Sequence, residues 1–377
     1  MITKLSIKNL KAHRDTTLSL AQFTVLVGPN GSGKTTVLDA LSYIARFAGD
    51  KPNDDLFTGE RDLSLIRRSE EVGPMDLEIG GIIDGTDFAA HISCDLDSQY
   101  PRGWKSLLSW TFGSEHLQPA AQKTFSEVFH AHGPKTGERW QKHVSNLALF
   151  RLNARVIAAP ASSRQPMPDV KFDGRDVAAA IKAIKLGHDD IWKSIVDTLR
   201  QIVPNVRSLG VELVPAPAPD PAPSASSSLA DPSGEWYRLI FDFEGAPRVP
   251  APHASEGTLL ALALVTILLG PAAPRIVLLD DIEQGLHPAA QMQLVQSITK
   301  LLALDSMRGT QIVATTHSPY ILEHLDFDQV RVFAIGPDGG SAVKSLASHP
   351  DAERVRGAMS AGELWTSDQE AKWVVEK

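Results

Sequence analysis

The feature of this sequence that most limits its fold is a glycine-rich stretch between an apolar run and a segment with helical spacing. The apolar run is Phe23–Val27, and residues 28–36 after it read GPNGSGKTT. They match the pattern G-x-x-x-x-G-K-[ST], in which backbone N–H groups and the N-terminus of the next helix surround phosphate groups. A strand, a phosphate-binding loop and a helix are therefore predicted in succession, with a nucleoside triphosphate as the ligand.

The residues of this loop have separate predicted tasks. Lys34 would contact the β- and γ-phosphates, and Thr35 would ligate Mg²⁺, so ATP and Mg²⁺ are the predicted cofactors. A chance match in a glycine-rich turn is the alternative, and the flanking strand and helix argue against it. The residues predicted to bind the nucleotide through this loop are Asn30, Gly31, Ser32, Gly33, Lys34, Thr35 and Thr36.

A second apolar run ends in carboxylates. Residues 276–279 are followed by Asp280, Asp281, Ile282 and Glu283. A buried strand that ends in acidic residues offers a partner for Mg²⁺ and a base for the attacking water, although a strand that merely ends in an acidic turn is the alternative. We predict that Asp280 holds Mg²⁺ through water and that Asp281 or Glu283 is the base.

A third apolar run leads into His317, whose imidazole could reach a γ-phosphate. Taken together, these motifs resemble the ABC-type heads of chromosome-maintenance and recombination-repair proteins of the SMC and RecF kind. They are similar also to the stand-alone ATPases related to the OLD family. The resemblance rests on the Walker A loop at 28–36, the Walker B strand at 276–281, the sequence GLHP at 285–288 and the switch histidine His317.

The resemblance implies an α/β fold: a P-loop ABC-type ATPase head with an antiparallel β flap and a helical insertion. It also implies that Ser255 and Gly257 form the signature motif, which binds the γ-phosphate held by the opposite subunit. A plain helix N-cap is the alternative for Ser255. The sequence departs from these families at Asp281, where they usually place glutamate, and no glutamine between residues 37 and 98 can supply the usual Q-loop.

Pattern changes along the chain suggest its domain boundaries. The ATPase core is predicted over 1–113 and 235–377, and the flap over 76–112, with a hairpin turn at Asp84-Gly85. Residues 114–214 are predicted to form a helical insertion. Residues 215–234 contain 6 Pro, 5 Ser and 5 Ala, a composition that predicts a disordered loop.

Charge and cysteine content restrict the partners. The net charge is −8, yet residues 100–210 carry 16 Lys and Arg against 9 Asp and Glu. This positive segment is compatible with DNA as a partner, and a solvated surface is the simpler alternative. The single cysteine, Cys94, fits a reducing compartment, and the longest apolar run, residues 259–269, is too short for a membrane span. A cytoplasmic protein with no membrane partner is predicted.

The resemblance implies a slow, Mg²⁺-dependent ATP hydrolase that forms a homodimer or higher oligomer around ATP. Related ATPases act in phage defence or DNA repair, often with a separately encoded effector, and no Toprim-like acidic pair follows His317. Two alternatives remain. One is an ATP-binding switch or scaffold with little turnover, and the other is the nucleotide-binding subunit of a transporter.

Overall fold

The computed structural model describes residues 1–49, 56–68, 73–97, 99, 104–121, 135–217, 234–368 and 371–376. Its strands, in chain order, are β1 (Ile2–Leu10), β2 (His13–Ser19), β3 (Phe23–Val27), β4 (Met75–Ile83), β5 (Thr86–Leu96), β6 (Trp104–Phe112), β7 (Glu115–Ala121), β8 (Leu147–Phe150), β9 (Val206–Val214), β10 (Trp236–Phe243), β11 (Ala246–Pro250), β12 (Ile276–Leu279), β13 (Gln311–Thr316), β14 (Val330–Ile335) and β15 (Ser341–Ser345). Its α-helices are α1 (Lys34–Ala48), α2 (Leu63–Ile66), α3 (Lys135–Ser145), α4 (Ala154–Ala158), α5 (Val177–Gly187), α6 (Asp189–Ile202), α7 (Glu256–Leu269), α8 (Pro288–Leu302), α9 (Pro319–Leu322), α10 (Ala352–Val355), α11 (Ala361–Ser367) and α12 (Lys372–Val375).

These elements form two compact units, which are described separately. The first unit comprises Met1–Leu149, Arg275–Ile282 and Leu302–Lys377. The second unit comprises Phe150–Pro274 and Glu283–Leu301.

The first unit contains a mixed sheet of order β15-β14-β3-β13-β12-β8. Strand β13 lies between β3 and β12 and is parallel to both, and β14 is parallel to β3 on its other side. Strands β3, β12 and β13 are buried along their whole length, as their continuous apolar runs predict for parallel strands covered on both faces.

The first unit also contains an antiparallel sheet of order β2-β1-β4-β5-β6-β7. The predicted flap forms its middle, and the turn between β4 and β5 has positive φ angles of 50° at Asp84 and 78° at Gly85, as predicted. Side chains of this sheet, of α1 and of the mixed sheet share one hydrophobic core. The buried Gln311 on β13 ties the sheets together, because its amide bonds both the N–H and the carbonyl of Ile2 at 3.0 and 2.7 Å.

The second unit combines helices with a three-stranded sheet of order β11-β10-β9. Helix α7 is apolar on every side and is buried over nearly all of its length. A helix without a polar face must be covered all round, and α4, α5 and α6 contact it within this unit.

This packing divides the chain differently from the predicted boundaries. The core predicted over 1–113 and 235–377 is split, because α7 and residues 283–301 belong to the second unit together with most of the insertion. The predicted helical insertion at 114–214 does contain α3 to α6, but strands β7, β8 and β9 also fall in this range. Strand β7 forms by pairing with β6, and strand β9 forms by pairing with β10.

The mixed α/β fold with an antiparallel flap is therefore as predicted. The disordered loop predicted at 215–234 lies outside the described residues, except for residues 215–217 and 234. Among the described residues, no helix is both long and apolar enough to cross a membrane.

Candidate active site

The candidate site of the first unit lies where three parallel strands end. Residues 28–33 follow β3, Asp280 follows β12, and His317 follows β13, which lies between them. Because the carboxyl ends of parallel strands meet at the same edge of a sheet, the glycine loop, the Walker B carboxylate and the exposed His317 lie at one edge. This order brings together motifs that are far apart in the sequence.

The direct contact at this edge joins the two predicted metal-binding residues. The Thr35 hydroxyl donates to Oδ1 of Asp280 at 3.1 Å. Thr315, on β13, donates to the same carboxylate oxygen at 2.7 Å. Thr315 Oγ1 also accepts the backbone N–H of Asp281 at 2.9 Å, so a single threonine orients both acidic residues.

These donors suit Mg²⁺, which prefers hard oxygen ligands and keeps several waters. Thr35 Oγ1 would ligate the ion directly, and the Asp280 carboxylate, which already accepts from that hydroxyl, would hold it through water. Among the described residues, no cluster of three or more His, Cys, Asp or Glu side chains could hold a metal. Within the described part of the chain, Thr35 and Asp280 are thus the residues that would hold such an ion beside a bound nucleotide.

The glycine loop forms a cradle for phosphates. Gly31 and Gly33 have positive φ angles of 77° and 99°, which only glycine adopts without strain. A Cβ at Gly31 would meet no atom within 4 Å, so the loop is open at this point. The buried ammonium of Lys34 donates to the carbonyls of Gly28 and Pro29, both at 2.9 Å, and these bonds hold it at the cradle.

Asp281, a candidate base, has an unusual backbone. Its φ is +54°, in the left-handed region that costs a non-glycine residue energy and that aspartate tolerates better than most. Its N–H donates to Thr315 Oγ1, and the next N–H, of Ile282, donates to the carbonyl of Thr315 at 3.1 Å. The exposed Asp281 side chain is thus held by a fixed backbone.

Glu283, Ser255 and Gly257 are placed in the second unit. The structure therefore assembles the glycine loop, Thr35, Asp280, Asp281 and His317 in one unit. The second candidate base and the candidate signature residues belong to the other.

Ser255 and Gly257 lie at the start of α7. The exposed Ser255 is the N-cap, and its hydroxyl accepts the N–H of Thr258 at 3.2 Å. A Cβ at Gly257 would lie 2.9 Å from the carbonyl oxygen of Gly285, which brings the GLHP segment against the helix start. Ser255 is thus a helix N-cap, which was the alternative to a signature-motif serine. An N-cap serine can also contact a phosphate, so the two roles do not exclude each other.

A cavity of about 220 Å³ opens next to this helix start. Among the residues that line it are Asn153, Arg155, Glu256 and Gln284. Arg155 is exposed and brings a cationic side chain close to the start of α7.

Sequence reasoning missed three residues of the site: Thr315, which contacts Asp280 and Asp281, and His13 and Ser341, which contact the glycine loop. Thr315 appears in the sequence as an ordinary β-branched strand residue two positions before His317. His13 Nε2 lies 3.0 Å from the carbonyl oxygen of Gly33, and Ser341 Oγ donates to the carbonyl of Ser32 at 2.6 Å. Burial lowers the pKa of His13.

Two family models match the chain. The model described as "AAA domain, putative AbiEii toxin, Type IV TA system" matches residues 142–323, and the model described as "AAA ATPase domain" matches residues 1–91. Together they include the glycine loop, the Walker B carboxylates and His317.

Two curated proteins are similar in sequence. The DNA replication and repair protein RecF of Corynebacterium jeikeium is 28% identical over 93 residues, which are 24% of this chain and 20% of RecF. The OLD nuclease of Thermus scotoductus is 23% identical over 356 residues, which are 88% of this chain and 62% of the nuclease. The chain thus spans about a fifth of the first relative and less than two thirds of the second.

Solved SMC heads have the same fold. The SMC head bound to the C-winged helix domain of ScpA is 16% identical, with a TM-score of 0.57 over 94% of this chain and 99% of that one. The SMC head with an extended coiled coil, bound to the C-terminal domain of ScpA from Pyrococcus furiosus, is 14% identical, with a TM-score of 0.58 over 94% and 98%. These matches confirm the predicted fold, and with the sequence relatives they confirm the resemblance to OLD-like and SMC/RecF-like ATPases.

Proposed function

We propose that this chain, a P-loop ATPase of the AAA/ABC type related to OLD nuclease and to SMC and RecF proteins, hydrolyses ATP with Mg²⁺ and does so as a dimer. The observation that carries the proposal is the contact of Thr35 with Asp280 beside the glycine loop. A hydroxyl and a carboxylate in this arrangement could hold a Mg²⁺ ion beside the phosphates of a bound nucleotide.

Hydrolysis would proceed by in-line attack of water on the γ-phosphate. Lys34 would leave the carbonyls of Gly28 and Pro29 and balance the charge on the phosphates. Asp281 would orient the water and accept its proton, with His317 reaching the γ-phosphate from the end of β13. Bound Mg²⁺ would neutralise charge on the phosphate oxygens.

Turnover tests the roles of the carboxylates. Lys34→Ala should abolish ATP hydrolysis, because the cation at the phosphates is lost. Asp281→Asn should reduce the rate more than Glu283→Gln, and it should leave the fold intact because asparagine tolerates a left-handed backbone. Steady-state phosphate release, with the melting temperature as a control, measures both. A larger loss for Glu283→Gln would transfer the role of base to Glu283.

A second function, an ATP-dependent switch with little turnover, is favoured by one observation. The Asp281 carboxylate is one methylene shorter than the glutamate usual in such heads, and its backbone is fixed by Thr315. Under this alternative, ATP binds and dimerises the chain, and the Asp281→Asn variant behaves like the parent. Asp281→Glu should then raise the rate of phosphate release.

The proposed dimer would hold two ATP molecules between subunits, with Ser255 and Gly257 at the γ-phosphate of the partner's nucleotide. Ser255→Asp keeps an N-cap but places a negative charge where the phosphate would lie, so it should prevent ATP-dependent dimerisation. Ser255→Asn keeps the cap without the charge and is the matched control. Light scattering with ATP, in the Asp281→Asn background, measures the mass. An aspartate variant that still dimerises with ATP would remove this role from Ser255.

We further propose that the ATPase is cytoplasmic and controls a separately encoded effector in phage defence or DNA repair. The support is the candidate ATP site together with the likeness to OLD nuclease and RecF, while the described residues contain no group of three or more His, Cys, Asp or Glu side chains that could bind a second metal centre. The purified chain should then hydrolyse ATP and leave plasmid DNA, RNA and tRNA uncut. Cleavage that survives purification and is lost on mutation within this chain would contradict the assignment.

A further inference from the structure

Two side chains from separate strands support the glycine loop from its inner side. His13 begins β2 and is fully buried, and Ser341 begins β15. His13 Nε2 lies 3.0 Å from the carbonyl oxygen of Gly33, and Ser341 Oγ donates to the carbonyl of Ser32 at 2.6 Å. Both contacts reach backbone carbonyls of consecutive residues in the phosphate-binding loop.

The two side chains converge on one glycine. A Cβ at Gly33 would lie 2.5 Å from His13 Nε2 and 2.9 Å from Ser341 Oγ, so no other residue fits there without displacing one of them. Their own positions are linked, because the N–H of Ser341 donates to the carbonyl of Ala12 at 2.8 Å. The contacts therefore belong to a fixed support rather than to two separate surface side chains.

The chemistry of the imidazole defines its role. A carbonyl can only accept, so the Nε2 that faces Gly33 carries a proton and donates it. The other nitrogen, Nδ1, is buried and has no hydrogen-bond partner among the described residues. The contact to Gly33 is thus the only polar contact of this ring that the described structure provides, and it offsets part of the cost of burying the ring.

Because the peptide bond is planar, fixing a carbonyl on one side of the loop also fixes the direction of the next N–H group on the other side. In a trans peptide the C=O of one residue and the N–H of the next belong to one rigid plane and point in opposite directions. Holding the carbonyls of Ser32 and Gly33 inward therefore turns the N–H groups of Gly33 and Lys34 outward. Those N–H groups are among the donors that a loop of this pattern offers to phosphates.

We propose that His13 and Ser341 are positioning residues that aim the amides of Gly33 and Lys34 at the phosphates of ATP. The inference deepens the function proposed above and rests on it. The two side chains never touch the nucleotide. They set the direction of two of its hydrogen-bond donors, and their loss weakens binding of the di- and triphosphate more than binding of the monophosphate.

Nucleotide affinity, measured by titration calorimetry with ATP, ADP and AMP, tests the proposal without requiring turnover. His13→Phe keeps the ring and removes the donor, and Ser341→Ala removes the hydroxyl. Each should weaken ATP and ADP binding about tenfold, the size of one lost hydrogen bond, and leave AMP binding within about twofold. His13→Gln and Ser341→Thr keep a donor and should restore most of the affinity.

The outcomes separate the inference from the proposed function. A parent protein that binds ATP in a Lys34-dependent manner, with His13→Phe and Ser341→Ala variants of unchanged ATP affinity, would overturn the inference alone. A parent that binds no ATP would overturn both. Equal losses for ATP and AMP, together with a lowered melting temperature that the Gln and Thr variants do not recover, would show that the two residues only stabilise the fold.

Discussion

At the scale of single residues, the two left-handed glycines of the phosphate-binding loop differ in what surrounds them. Gly31 and Gly33 both have positive φ, but only Gly33 has neighbours close to the position of a Cβ. Alanine at residue 31 should cost only backbone strain, about 1–3 kcal/mol. Alanine at residue 33 should cost that strain and also displace His13 or Ser341.

The matched pair of variants makes this a test. Gly33→Ala should lower the free energy of unfolding more than Gly31→Ala and should weaken ATP binding at least as much as His13→Phe does. Chemical denaturation and calorimetry measure the two quantities. If both glycine variants are destabilised equally, the side chains at residues 13 and 341 move away at no cost, and their contacts to the loop carry little energy.

At this scale the loop residues, Thr35 and the carboxylates could be selected from the sequence, because each belongs to a motif whose chemistry requires it; their roles stay predictions. Thr315 could not be predicted in the same way. A threonine in a buried strand is an ordinary β-branched residue, and only the pairing of β13 with β12 brings its hydroxyl to Asp280. Contacts made across strands that are distant in sequence leave no local pattern.

At the scale of elements, the antiparallel sheet has a titratable pair on β4 and β5. His91 Nε2 lies 3.1 Å from Oδ1 of Asp76, and this hydrogen bond raises the pKa of His91 above its ordinary value of about 6.5. Burial lowers the pKa, and the charges of Asp76 and Glu78 raise it further; Lys8 also faces Asp76. The folded state therefore favours the protonated imidazole.

The sign of the pH effect follows from that raised pKa. The stabilisation should be complete below about pH 6.5 and should be lost as the pH rises through the pKa of the folded state. The melting temperature of the parent should exceed that of His91→Gln by more at pH 6 than at pH 8.5. Asp76→Asn should behave like His91→Gln. A difference that stays the same at both pH values would show that the pair contributes no charge-dependent stability.

The same scale shows why some elements were predicted and others were not. The β4–β5 hairpin could be predicted because Asp84-Gly85 supplies two residues that accept positive φ. Strand β7 has the sequence EHLQPAA, with a proline and little alternation, and it forms by pairing with β6. Local sequence predicts an element well when a turn or a motif requires it, and poorly when a neighbouring strand supplies the reason.

At the scale of the whole molecule, helix α12 and the residue that follows it contact strand β15 within the first unit. The buried Trp373 stacks edge-to-face on His349, with ring centroids 5.1 Å apart. Lys344 on β15 donates to the carbonyls of Trp373 and Glu376 at 2.8 and 2.7 Å. Because β15 also carries Ser341, the last helix supports the strand that supports the phosphate-binding loop.

Trp373→Ala should destabilise the protein by about 3–5 kcal/mol, the usual cost of removing a buried aromatic side chain. Trp365→Ala, at a half-buried position in α11, is the control and should cost less. Urea denaturation measures both. A Trp373→Ala variant as stable as the Trp365→Ala variant would show that the tail contributes little to the first unit.

DNA binding is a prediction for the whole molecule that stays untested. Four basic residues between 100 and 210 are predicted to contribute: Arg139 and Lys142 of the first unit, and Arg151 and Arg155 of the second. If DNA binds, its affinity should fall steeply with salt, and charge reversal at these four residues should weaken it regardless of sequence. Undetectable binding to duplex DNA at low salt with ATP present would assign the positive charge to a solvated surface.

The position of β3 in the mixed sheet has a consequence for the protein while it is being made. Strand β3 precedes the phosphate-binding loop, yet its neighbours β13 and β14 are among the last strands in the chain. Val25 therefore cannot pair with Ala314 and Val330 until those residues have been synthesised. A ribosome that has completed only the first half of the message presents a phosphate-binding loop without the strands that flank it. The ability to bind nucleotide should therefore arise late in synthesis and abruptly. Until β13 and β14 have been made, the apolar strand β3 lacks its neighbours, and this is the period in which a chaperone could cover it.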